Sequence, residues 1–204
     1  MASKKPLIVG ITGGIGSGKT TAAKIFESLG IPIYIADEKA RTLTAENPEI
    51  LSYIRETYGD GVFDENGALL RKKLGEKVFG DKEKLKALNE VIHPIVNRDF
   101  KEWTAQQDAP YVLKEAAVLF ESGNYTNCDY VILVVAPKEV RINRVMKRSG
   151  LSREDIEARM LHQWSDDDKL ALSDFVIHND DDHELMPQIY DIHEDIKRLA
   201  NSGG

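Results

Sequence analysis

Three features of this sequence predict a three-layer α/β fold around a parallel sheet. Short apolar, β-branched runs alternate with helical patterns. The first strand, helix and second strand fall within ~30 residues, the span of a βαβ unit. A glycine-rich turn joins the first strand to its helix, the usual connection at the ligand-binding edge of such sheets.

The elements follow in order. Leu7-Ile8-Val9-Gly10-Ile11-Thr12 reads as a strand, and Gly13 to Gly18 as the turn. Lys19 to Leu29 reads as a helix, with Ala22, Ala23, Ile25, Phe26 and Leu29 on one side. Ile31 to Ile35 is a second strand, with Pro32 tolerated near its start. Residues 36–44 form a short helix, and Asn47-Pro48 caps and opens another that runs to about Tyr58. Residues 59–80 carry turn signals at Gly59-Asp60-Gly61 and Asn66-Gly67. Leu85, Leu88, Ile92, Ile95, Asp99 and Trp103 then recur at helical spacing, with a kink or break expected at His93-Pro94.

Tyr111-Val112-Leu113 begins a third strand and Asp129 to Val135 is a fourth. Pro137 opens a helix to about Ser149. Ser152, with Asp155 three residues on, caps another that runs to Trp164. Phe175-Val176-Ile177 is a fifth strand, and Leu185, Ile189, Ile192, Ile196 and Leu199 stripe a last helix. The helical block interrupts the alternation, so the expected division is a core of residues 1–45 and 107–204, with 46–106 as a helical subdomain.

Composition narrows the function. With 27 basic and 34 acidic side chains in 204 residues, the net charge of −7 argues against broad nucleic-acid binding. No run approaches the ~18 apolar residues of a membrane span. The apolar stretch behind Lys4 and Lys5 is too short for a signal peptide. Cys128 is the single cysteine, which excludes an intramolecular disulfide and a cysteine-rich metal site. The expectation is a cytoplasmic protein, monomeric by default, with Ser202-Gly203-Gly204 a frayed end.

Gly13-Gly14-Ile15-Gly16-Ser17-Gly18-Lys19-Thr20 satisfies G-x-x-x-x-G-K-[ST] between a strand and a helix. Glycines reach backbone angles that let several N–H groups face one phosphate, and the helix N-terminus adds positive potential. Lys19 can reach β- and γ-phosphates, the Thr20 hydroxyl can ligate Mg²⁺, and Thr21 can bond an α-phosphate oxygen. A plain turn would leave Lys19 and Thr20 without a purpose. The loop itself does not separate kinases from ATPases or GTPases. Against a GTPase, the chain has no Asn-Lys dipeptide for reading guanine, and Asp64-Glu65-Asn66-Gly67 reads better as a surface turn.

Asp37 follows the second strand, at the edge where ligands bind. A carboxylate there can orient an attacking hydroxyl and take its proton; it can equally cap the following helix. Arg141, Arg144 and Arg148 share one helical face. They read either as a solvated basic face or as a clamp that stabilises the charge of a transferring phosphoryl group. Arg144 and Arg148 fit the clamp better than Arg141. Arg159 and Gln163 lie one turn apart and either face a nucleotide or brace the segment. The acidic runs Asp166-Asp167-Asp168 and Asp180-Asp181-Asp182 read as solvated loops or helix N-terminal charge rather than a metal site.

From Gly10 to about Asn179 the chain resembles the dephospho-coenzyme A kinases. The resemblance rests on Gly10 through Thr21, Leu29-Gly30-Ile31, Ala36-Asp37 with Ala40-Arg41, Leu88-Asn89 leading to Ile92-His93-Pro94, and Leu119-Phe120-Glu121. Arg144, Arg148, Arg159 and Gln163, then Asp174-Phe175-Val176-Ile177 and Asn179, complete it. It implies ATP-dependent phosphorylation of the ribose 3′-hydroxyl of dephospho-coenzyme A, with Mg²⁺. It also implies a five-stranded sheet ordered 2-3-1-4-5, a helical coenzyme-A subdomain and a mobile lid over about 141–164. By position, Asp37 becomes the base near the acceptor hydroxyl, with Arg41 and His93 lining the acceptor side. The chain departs from the family pattern at Ile35, at Arg141 and at Glu115-Ala116-Ala117. Glu115 keeps a carboxylate at the end of strand three, where it can hold Mg²⁺ through water. Another small-molecule kinase and a nucleotide-dependent switch are the competing readings.

Overall fold

The computed structural model describes residues 5–78, 80–180 and 182–202. The first four residues, Asp181 of the second acidic run and the Gly203-Gly204 end lie outside them. The chain forms two compact units. One contains the chain up to Ile35 and from Thr104 onward, and the other is Ala36–Trp103.

The first unit is built on a parallel sheet of β1 (Leu7–Thr12), β2 (Ile33–Ile35), β3 (Tyr111–Glu115), β4 (Tyr130–Val135) and β5 (Phe175–His178). Their order is β2-β3-β1-β4-β5, the order the resemblance implies. Register places Ile11 and Ile35 on either side of Glu115. The C-terminal ends of β1, β2 and β3 therefore lie on one edge. Alternate residues Val9, Ile11, Tyr111, Leu113, Ile132, Val134 and Ile177 point to one face. There they bury against Phe26 of α1 (Lys19–Ser28) and Ile189, Ile192 and Ile196 of α9 (Leu185–Ser202). The α9 stripe is shifted from the expected one, for Leu199 is exposed while His193 and Ala200 are buried.

The opposite face holds the single thiol. Gly10 leaves the space that Leu119 and Cys128 occupy: an added Cβ would stand 2.6 Å from Leu119 Cδ2 and 3.0 Å from Cys128 Sγ. Burial pushes the Cys128 pKa up to about 11, against the opposing influence of Lys114.

In the helical unit, Asn47 accepts from the Glu49 and Ile50 amides, and Pro48 opens α3 (Pro48–Tyr58), as its sequence predicts. Before it lies α2 (Ala36–Glu46), which belongs to this unit rather than to the core. Asp37 lies in its first turn. Asp64 Oδ1 accepts from the Asn66 and Ala68 amides, closing a turn with Gly67 at φ 80°. Asp64-Glu65-Asn66-Gly67 is thus a turn rather than a nucleotide motif.

The helical unit differs from the sequence-based expectation in three places. Residues 71–78 form α4 (Arg71–Val78), although Gly75 and five charged side chains weaken the pattern; Leu74 and Val78 are buried one turn apart and hold it. The next helix, α5 (Lys82–Ala105), runs through Pro94 without a break. Its buried residues are Leu88, Ile92, Ile95, Val96 and Phe100, so apolar packing brackets the proline and outweighs the lost hydrogen bond. Leu85, expected on that stripe, is exposed.

Candidate active site

The loop after β1 is shaped by close approach. Gly16 and Gly18 sit at φ 80° and 89°, where a side chain is strained. A Cβ on Gly18 would come within 2.0 Å of Asn179 Nδ2, and one on Gly16 within 2.5 Å of the Arg141 carbonyl. Asn179 follows β5 and donates its Nδ2–H to the Ser17 carbonyl at 2.7 Å, bracing the loop from below the cradle. Gly18 caps α1 with no side-chain bond, so the Lys19 and Thr20 amides have no intrahelical carbonyl to donate to and can face an anion.

Lys19 Nζ meets Glu115 Oε1 at 3.2 Å, and the Glu115 side chain is 4% exposed. The carboxylate thereby holds the lysine at the loop's mouth and neutralises part of the local positive charge. Thr20 and Thr21 are exposed at the first turn of α1.

The cavity over the loop has a volume of about 400 Å³, within the range of small-ligand sites. Gly13 through Thr21 form its floor. Arg144 and Arg148 enter from α6 (Lys138–Ser149), and Arg159 from α7 (Arg153–Met160). Arg144 Nη1 donates to the Asn179 carbonyl at 3.0 Å, which aims its guanidinium across the loop. Ile142, Val145 and Ile156 pack α6 on α7, with Ile15 against them, so these arginines stand on an apolar base.

Arg141 stands apart from this set. It lies over Gly14 and pairs with Asp166 Oδ2 at 3.2 Å, outside the cavity lining. Asp166 belongs to α8 (Asp166–Leu170), a short helix not expected from the sequence, and the preceding helix ends at Met160 rather than at Trp164. Ser165 caps it by accepting from the Asp168 amide at 3.1 Å, so the acidic run is helix N-terminal charge. His162 also lines the cavity and carried no signal in the sequence. Gln163 faces the loop: its Oε1 accepts from the Ile15 amide at 2.8 Å. Asp37, Arg41 and His93 belong to the helical unit.

Amide N–H groups on one side, with Lys19, Arg144, Arg148 and Arg159 around them, make a cationic cradle with the chemistry to hold an anion such as a triphosphate. That is the equipment of a P-loop kinase. The dephospho-CoA kinase family model matches residues 7–184. A dephospho-CoA kinase of Bacteroides fragilis is 36% identical over 185 residues, covering 90% of each chain. Among solved structures, TT1252 from Thermus thermophilus is 38% identical with a TM-score of 0.84, covering 94% of this chain and 98% of that one. Dephospho-CoA kinase from Campylobacter jejuni is 28% identical with a TM-score of 0.65, covering 96% and 100%. The chain belongs to the dephospho-CoA kinase family.

Proposed function

We propose that this kinase transfers the γ-phosphoryl group of ATP to the ribose 3′-hydroxyl of dephospho-coenzyme A, giving coenzyme A and ADP. The observation that carries it is the preformed phosphate loop with Lys19 at its mouth under the Arg144–Arg148 face, in a chain of this family. Backbone amides of Gly13 through Thr21 hold the phosphates. Lys19 spans the β- and γ-oxygens. Arg144 and Arg148 neutralise charge on the transferring group.

Thr20 and Glu115 supply a hydroxyl and a carboxylate. Those are the hard oxygen donors that Mg²⁺ takes in small number, with waters and phosphates completing its shell. Bound there, the ion would supply positive charge that offsets the charge on the phosphates.

Asp37 is the proposed base. It follows the C-terminal end of β2 by two residues, the strand edge at which ligands bind in open α/β sheets. Its carboxylate takes the proton as the ribose oxygen bonds to phosphorus and the bond to the ADP oxygen breaks. Arg41 and His93 line the acceptor side, and Ala36–Trp103 is the acceptor-binding unit, with the segment of about 141–164 as a lid. No helix among the described residues is long and apolar enough to cross a membrane. A monomer working in the cytoplasm completes the reading.

ADP release, coupled to a spectroscopic readout, tests it with dephospho-coenzyme A against a panel of nucleosides. Only the first is expected to drive turnover. Asp37→Asn is expected to bind ATP normally and to lose about a hundredfold or more in kcat; unchanged turnover would remove its role as base.

A further inference from the structure

We propose that Gln163 is a positioning residue for phosphoryl transfer, one that locks the apex of the phosphate loop to the segment carrying Glu115. The proposal rests on the kinase reading above. Gln163 lies in the bend after α7 and uses both ends of its amide. Oε1 accepts from the Ile15 N–H at 2.8 Å, while Nε2 donates to the Ala117 carbonyl at 3.1 Å. The two partners fix which end is oxygen and which is nitrogen. Only a side chain that both donates and accepts at this length meets both demands, which excludes lysine, arginine and an ionised carboxylate.

Each partner sits next to the chemistry. Ile15 is the loop residue between Gly14 and Gly16, on the floor of the cavity. Ala117 is two residues beyond Glu115, whose carboxylate meets Lys19 at 3.2 Å. Fixing these two points sets the loop amides relative to the Lys19 ammonium. The tether is itself anchored: the next residue, Trp164, donates its backbone N–H to Glu121 Oε1 at 2.9 Å. A loop held this way spends little reorganisation at the moment of transfer. Loosened by about 1 Å, it loses rate rather than nucleotide affinity, for the other loop amides still hold the phosphates.

Gln163→Met keeps the length of the side chain and removes both bonds. Gln163→Asn keeps the amide but is too short for both partners. Each is assayed for kcat, for the KM of ATP, for melting temperature and for hydrogen exchange at the Ile15 amide by NMR. The expected result is a kcat loss of about tenfold to a hundredfold with the KM of ATP within about threefold. Exchange at Ile15 is expected to accelerate while the melting temperature stays within a few degrees. A kcat within about twofold of the parent, or a rise in KM with kcat intact, would overturn the proposal. If the methionine variant does not fold, the asparagine variant carries the same test. A parent protein that forms no ADP with dephospho-coenzyme A would instead refute the assigned reaction. Ile15 exchange then still decides the tie, and an unchanged exchange rate in the variants sinks it.

Discussion

Removing the Lys169 ammonium should destabilise the protein more than most single substitutions. Its side chain is fully buried, and Nζ meets Glu121 Oε1 at 3.0 Å, at ion-pair distance though off the hydrogen-bond direction. Lys169→Met keeps most of the buried stem and strands the carboxylate. Breaking one side of a buried pair costs ~3–5 kcal/mol. Glu121 is 13% exposed and keeps the bond from the Trp164 amide, which places the loss near the lower end, about 3 kcal/mol. In a chain of this size that is a fall in Tm of about 6–12 °C. Urea denaturation followed by circular dichroism measures it. Glu121→Gln combined with Lys169→Met should recover most of the loss, because a neutral amide still accepts from Trp164 and needs no counterion. A single variant within about 1 kcal/mol of the parent would refute the reasoning, as would a double variant no better than the single.

Gly18→Ala places a side chain at φ 89° and a Cβ 2.0 Å from Asn179 Nδ2; ATP affinity measured by calorimetry should fall by at least about tenfold, and an unchanged Kd would mean the loop does not need that geometry. His193, buried with its Nδ1 2.7 Å from the Tyr111 hydroxyl, has its pKa lowered by burial and by Lys197, with Glu194 opposing. The folded state therefore binds fewer protons than the unfolded one between that lowered pKa and the ordinary 6.5. Its contribution is complete above 6.5 and is lost as the pH falls through the lowered value. Urea midpoints of the parent should fall over that window, and His193→Gln should remove that part of the slope; parallel slopes would show that His193 does not contribute.

The phosphate loop was legible because its function is written in backbone geometry: Gly16 and Gly18 are needed where φ is positive, and the pattern of glycines records that directly. Helix starts were legible for a similar local reason, since Asn47 and Ser152 cap through bonds three residues away or fewer. The arginine face was half legible. Spacing put Arg141, Arg144 and Arg148 together, but an ion pair with Asp166, far along the chain, takes Arg141 out of the cavity. Periodicity assigns a face and leaves the partner open. His162 and the Glu121–Lys169 pair stayed hidden for that reason, because their surroundings are assembled from segments distant in sequence. Of the kink or break expected at Pro94, the break does not occur, because Ile92, Ile95 and Val96 pack around the proline and keep the helix continuous.

Burial pushes the Cys128 pKa up to about 11, so the thiol is overwhelmingly un-ionised at neutral pH. Alkylating reagents should therefore react slowly with the native protein, and faster once β1 and the segment before β4 part. The molecule carries its own reporter for the opening of its central sheet: one thiol, whose alkylation adds a single mass increment readable by mass spectrometry.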